Sequence, residues 1–303
     1  MKRWLLAAAF LAAPVAAQAQ SLDLGIEGVG LSIGNSRRWT GVRINWRDNR
    51  VEKVDGLNIT FWKPIRNPDF EMNGVAFGVF GPNARTFNGA AVGIGGVVAG
   101  GDINGLALGG LGVVAENDIN GIALAGLGVV AQGDMRGINV AGLGTVAQGD
   151  MTGINLAGLG TVAQGRMTGM NIAGLGTVAE GDVRGISIAG LGTVAQGRLE
   201  GVSLAGLGVV AQGDMTGVSI AGLGTVAQGN MVGINLAGLG VVSQGTITGI
   251  SGAGLGVVGV SGIEGIAIAG AGVIAERDIT GLAATLGQIE TRTQARGILG
   301  AVY

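Results

Sequence analysis

Gly137-Ile138-Asn139-Val140-Ala141-Gly142-Leu143-Gly144-Thr145-Val146-Ala147-Gln148-Gly149-Asp150-Met151-Thr152 is one copy of the 16-residue unit that decides the fold. Copies follow one another without a gap, beginning at Gly89, Gly105, Gly121 and so on to Gly265, twelve in all. A degraded copy starts at Gly281 and a stub at Gly297. Repetition at so short a period means that one supersecondary unit is stacked on itself, each copy covering what its neighbour would expose.

With the leading glycine as position 1, apolar side chains fall at 2, 4, 7, 10 and 15, as in Ile154, Leu156, Leu159, Val162 and Met167. These spacings are not helical, and glycine at positions 1, 6, 8 and usually 13 would cost a helix about 1 kcal/mol each. Short strands joined at Ala-Gly and Gln-Gly-Asp turns satisfy the pattern, so the fold class is all-β. The five apolar positions are expected to be the buried set of each unit. Position 3, running Asn139, Asn155, Asn171, Ser187, Ser203 and Ser219, is expected to form an outward polar ladder.

Two architectures fit. In a repeat β-solenoid each unit is one rung and identical positions stack at roughly 4.8 Å. In an antiparallel β-barrel each unit is one strand, and Tyr303 would be the aromatic end of the last one. The repeats carry no aromatic girdle, every connection is equally short, and like residues follow like in the position-3 column, all of which favour the solenoid. The barrel is kept as the alternative. Charges at position 14, running Asp150, Arg166, Asp182, Arg198 and Asp214, suit either one.

Residues 1–19 have the layout of a secretory signal peptide: Lys2 and Arg3, an apolar run from Trp4 to Ala13, then Ala17-Gln18-Ala19. Export is therefore expected, with no cysteine in the chain to form a disulfide or carry a lipid. Residues 20–88 are read as an N-terminal β cap. They hold Trp39, Trp46, Trp62 and both remaining lysines, whereas no aromatic residue or proline occurs from Asn88 to Val302. The tandem array is read as 89–296 and the incomplete repeat as 297–303.

The chemical inventory is poor. With no histidine and no cysteine, the commonest general base, every thiol nucleophile and the usual zinc ligands are missing. The pattern G-x-G-x-x-[AGS] recurs eleven times, as at Gly142-Leu143-Gly144, but no helix follows any copy to receive a pyrophosphate, so no nucleotide is expected. The aspartates Asp102, Asp118, Asp134 and Asp150 could stack as a carboxylate column, yet turn chemistry explains them better than calcium does, and Arg166 and Arg198 interrupt it. Thr145, Thr161, Thr177 and Thr193 alternate with valine further on and read as strand formers. No cofactor, no metal and no catalytic residue is assigned. A net charge of -2 gives no reason to expect nucleic acid. The cap offers the one candidate binding surface, Arg38, Trp39, Arg43, Trp46, Trp62 and Lys63, chemically suited to an envelope component, a glycan or a protein partner.

The run Gly105-Leu106-Ala107-Leu108-Gly109-Gly110-Leu111-Gly112-Val113-Val114-Ala115, together with the cap segment Gly56-Leu57-Asn58-Ile59-Thr60-Phe61-Trp62-Lys63-Pro64, resembles a poorly characterised family of exported bacterial glycine-rich surface-repeat proteins. The resemblance implies a location at the cell surface, outer membrane or periplasm and carries over no catalytic residues. The functional expectation is a non-enzymatic envelope or surface repeat protein, a rigid spacer or binding platform. An outer-membrane barrel is the second reading and a solenoid polysaccharide hydrolase the third.

Overall fold

The computed structural model describes residues 21–65 and 67–302. The signal-peptide reading, Arg66 and Tyr303 lie outside the described residues. Among those described, all regular structure is β-strand, and the architecture is a β-solenoid.

Each unit supplies a long and a short strand, for example Met151–Ala157 and Gly160–Ala163. Long strands pair with long and short with short, always parallel and displaced by one unit: Met151 opposes Met167, Asn155 opposes Asn171, and Gly160 opposes Gly176. This builds a 19-stranded sheet facing a 14-stranded one. At the usual strand spacing the stack is a rod roughly 80 Å long. The only antiparallel pair among the described residues is the hairpin Leu22–Ile26 with Val29–Ile33 at the N-terminal end. Parallel, in-register pairing is what a solenoid requires and an antiparallel barrel forbids.

Position 1 is the axis of this regularity. Gly153 has φ +118°, and a Cβ there would lie 2.1 Å from the carbonyl oxygen of Gly137 in the preceding rung. Both its conformation and the close approach of the two backbones therefore demand glycine. The same positive-φ column runs from Gly30 through Gly41, Gly56, Gly74 and Gly89 to Gly297. Strands Arg38–Asn45, Lys53–Thr60, Glu71–Gly78 and Thr86–Gly93 thus belong to the same sheet as the repeats, paired through Gly41, Gly56, Gly74 and Gly89. The change of composition at residue 88 is not a break in the stack; the segment before it consists of further rungs of unequal length, 15, 18 and 15 residues between Gly41, Gly56, Gly74 and Gly89.

Position 15 is buried as the sequence led one to expect, but the other four apolar positions, 2, 4, 7 and 10, face outward. Asn155, Ala157, Thr161, Ala163 and Met167 point inward, whereas Ile154, Leu159 and Val162 stay on the surface, Leu159 at 47% exposure. Asn139, Asn155 and Asn171 are fully buried, so the position-3 ladder is internal rather than outward. Parity explains the inversion. In a strand a one-residue shift exchanges the two faces completely, and Met151 pointing inward forces Thr152, Ile154 and Leu156 out. The space between the sheets is narrow: alanine and threonine of the short strand face asparagine and alanine of the long one, and methionine fills the wider end. Burying amides costs nothing like its full desolvation penalty here, because they bond along the stack. Asn139 Nδ2 donates to Asn155 Oδ1 at 3.0 Å, and Asn155 Nδ2 to Asn171 Oδ1 at 2.9 Å. The position-9 threonines are internal too, with Thr161 and Thr177 hydroxyls 3.3 Å apart.

Candidate functional site

The rungs before residue 88 decide where the six candidate residues go. Register places Arg43 opposite Asn58 in the inward position-3 column, and Trp39 opposite Val54 and then Met72 in the methionine column. Both are therefore interior. Trp39 is 5% exposed and donates its indole N–H to the Gly30 carbonyl at 3.1 Å. Arg43 is fully buried against Asp48, which is itself fully buried. Its guanidinium also donates to Asn58 Oδ1 at 2.6 Å and Asn35 Oδ1 at 3.0 Å. Asp48 Oδ2 in turn accepts from the Thr60 hydroxyl at 2.6 Å and from Asn58 Nδ2 at 3.1 Å. This closed network fixes the first rungs and cannot meet a partner at the surface. Arg38 is exposed at 79% and pairs with Glu52 at 2.8 Å, a solvated ion pair of small energetic weight.

Trp46 and Trp62 do come together, just beyond the long strands Arg38–Asn45 and Lys53–Thr60, and Lys63 lies beside Phe80 at the same corner. The indoles of Trp46 and Trp62 stack with centroids 5.9 Å apart and planes at 8°. Phe61 lies 6.4 Å from Trp46, and Phe80 meets the edge of Trp62 at 4.8 Å. Both phenylalanines extend the site beyond the candidates read from sequence. The signal was partly visible: Trp46 and Trp62 are one repeat period apart, while the corner Lys63-Pro64-Ile65-Arg66-Asn67-Pro68-Asp69 delays Phe80 and hides it from a fixed period. Lys63, Pro64, Phe80, Pro82 and Val98 line a cavity of about 360 Å³ beside the stack. Because the rings stack face to face along the rod, the lateral surface shows mostly their edges.

The aromatic corner continues as leucine. Leu127 bonds the backbone of Leu111, and Leu143 that of Leu127, at 2.7 and 2.8 Å, and so on rung by rung to Leu255. The whole edge is exposed and apolar. With the outward, half-exposed isoleucines, leucines and valines of positions 2 and 4 it makes an apolar surface that recurs at every rung, and exposed apolar surface of this kind marks an interaction site.

The opposite edge is polar and its carboxylates are structural. Asp150 Oδ1 accepts the backbone N–H of Arg166 at 2.7 Å, Asp182 Oδ1 that of Arg198 at 2.8 Å, and Asp214 Oδ1 that of Asn230 at 2.7 Å. Each aspartate thus staples its rung to the next, rather than bonding its own turn. The Arg166 N–H, helped by its guanidinium and opposed by burial, holds the Asp150 carboxyl below its ordinary pKa; Arg198 does the same for Asp182. A second ladder on the outer face runs from Asp55 through Asn73, Asn88, Asn104 and Asn120, each amide donating to the rung before at 2.7–3.1 Å.

Comparison of the chain with protein-family models, with curated proteins and with solved structures finds no match.

Proposed function

We propose that this chain is a non-enzymatic repeat protein of the bacterial cell envelope or surface, a rigid spacer whose apolar edge serves as a binding platform. The observation that carries this reading is the unbroken glycine column, with one register from Gly30 to Gly297. A stack held rung to rung by two parallel sheets behaves as a stiff rod whose length grows with repeat number. The polar groups support the same reading. Aspartates at the corners bond the next rung's backbone, amides bond one another along the stack, and the Arg43–Asp48 pair is sealed inside. The carboxylates of Asp48, Asp150, Asp182 and Asp214 are each engaged in holding one rung to another.

The signal-peptide layout of residues 1–19, with the resemblance to exported surface-repeat proteins, supports a location outside the cytoplasm. Fractionation of the native host, followed by protease treatment of intact cells, tests this. The reading expects envelope-associated protein cleaved near Ala19 and shaved by external protease. Unprocessed protein in the cytosolic fraction would overturn it.

A further inference from the structure

The apolar edge has a shape that specifies its occupant. Outward side chains at position 4, such as Leu108, Leu124 and Val140, form one ridge along the rod, and the position-7 leucines form another. Between them lies the Ala-Gly corner. Gly142 cannot carry a Cβ, which would lie 1.9 Å from the carbonyl oxygen of Gly126, so the trough floor is bare backbone. In the first rungs a shallow, open hollow of about 420 Å³ lies along this floor, bordered on the position-4 side by Leu108, Leu124 and Val140 and floored by Gly110 and Gly126. From Leu106 to Ile268, positions 2, 4 and 7 carry no charge; the charged groups sit in positions 12, 14 and 16.

We propose that this edge docks a second copy of the chain, the leucine ridge of each copy seated in the glycine-floored trough of the other. Three features point to a second copy rather than an unrelated partner. First, ridge and trough are neighbours on one surface, so a two-fold axis brings each onto the other, as an isologous interface requires. Second, the leucines recur at the rung spacing of roughly 4.8 Å, and a stack with the same spacing matches them at every rung without slipping out of phase. Third, ten rungs at that spacing, each offering about 17 Å from position 2 to position 7, give roughly 800 Å² per copy. That is the size of a standard stable interface. The proposal rests on reading this edge as a binding surface, and location in the cell plays no part in it. The test therefore uses purified protein, and cell fractionation cannot decide it either way.

Sedimentation equilibrium of the full chain without residues 1–19 is compared with two triple variants: Leu159→Glu/Leu175→Glu/Leu191→Glu on the ridge, and Gln148→Glu/Gln164→Glu/Gln196→Glu on the opposite edge. The parent and the glutamine variant are expected to sediment as dimers. The leucine variant should weaken the dimer at least about 1000-fold, three leucines each losing an apolar seat for a buried charge. A monomeric parent, or a leucine variant as dimeric as the parent, overturns the proposal. If the leucine variant loses its strand signal in circular dichroism, single cysteines replace it, since the chain has none of its own. Leu175→Cys should then crosslink between copies through a bismaleimide while Gln164→Cys does not; equal yields at both edges overturn the proposal. A parent that stays monomeric but binds phosphatidylcholine vesicles identifies a lipid surface as the occupant and likewise overturns it.

Discussion

The substitution Gly153→Ala tests the stacking geometry at one atom. At φ +118° the backbone of Gly153 is in a region that alanine rarely adopts, at a cost of about 1–3 kcal/mol. The new methyl would also lie 2.1 Å from the Gly137 carbonyl oxygen, so one rung must move by more than 1 Å against its neighbour. Overpacking of this kind costs about 1–3 kcal/mol more. Alanine restricts the unfolded chain and recovers about 0.4–1 kcal/mol of this. The expected net loss is about 3–4 kcal/mol, concentrated at the interface between the two rungs because stability in such a stack is nearest-neighbour. Gly160→Ala is the matched control: its backbone does not have positive φ, and its added Cβ would sit 3.4 Å from the Gly176 oxygen. That change should lie within about 1 kcal/mol of the parent in either direction. Urea unfolding followed by circular dichroism reads the difference, and limited proteolysis should cut the Gly153→Ala protein near Gln148 or Gln164. Equal unfolding midpoints for the two variants would refute the argument that the glycine column is forced by the approach of adjacent backbones.

Further outcomes follow from the interior and the edges. Asn155→Ala should cost about 2–4 kcal/mol in urea unfolding, since it strands the buried Asn139 Nδ2 and Asn171 Oδ1, while Asn155→Ser, the residue used by later rungs, should cost less. Arg43→Ala should cost about 3–5 kcal/mol, because it leaves Asp48 buried and unpaired; an effect below 1 kcal/mol would mean that the pair is not sealed inside. The Asp150 and Asp182 carboxyls have folded pKa values below the ordinary 3.8, so their contribution is present above that pH and lost as pH falls through the depressed values. Unfolding midpoints should therefore drop at acid pH, and the Asp150→Asn/Asp182→Asn protein should show a shallower drop than the parent; parallel pH profiles would contradict this.

The parts of the fold that read directly from the chain are those carried by period. An uninterrupted 16-residue repeat gives rung, strand and turn, because identical positions must stack when every copy is the same length. What the period does not carry is parity. Ile154 and Leu156 read as core by hydrophobicity, but the inward Met151 and the space between the sheets set the alternation, and the buried amide of Asn155 is made tolerable by neighbours in other rungs. A single unit contains no trace of that bond. The early rungs were hidden for a different reason. Gly41, Gly56, Gly74 and Gly89 occupy one column in space but are 15, 18 and 15 residues apart in sequence, as corners of unequal length intervene. Once the column is seen, Arg43 and Trp39 fall in inward positions, and the cluster of basic and aromatic residues divides into an internal network and an exposed corner. Phe61 joins that corner by stacking on Trp46 and Phe80 by an edge contact with Trp62.

Parallel in-register stacking makes one distance grow in proportion to sequence. Spin labels at cysteines replacing Gln132 and, in turn, Gln164, Gln196 or Gln228 sit on the exposed polar edge, two, four and six units apart. Double electron–electron resonance should give separations near 10, 19 and 29 Å, rising by about 4.8 Å for each unit. Distances that level off or fall as further units intervene would show that the chain curves back on itself, and would contradict the solenoid.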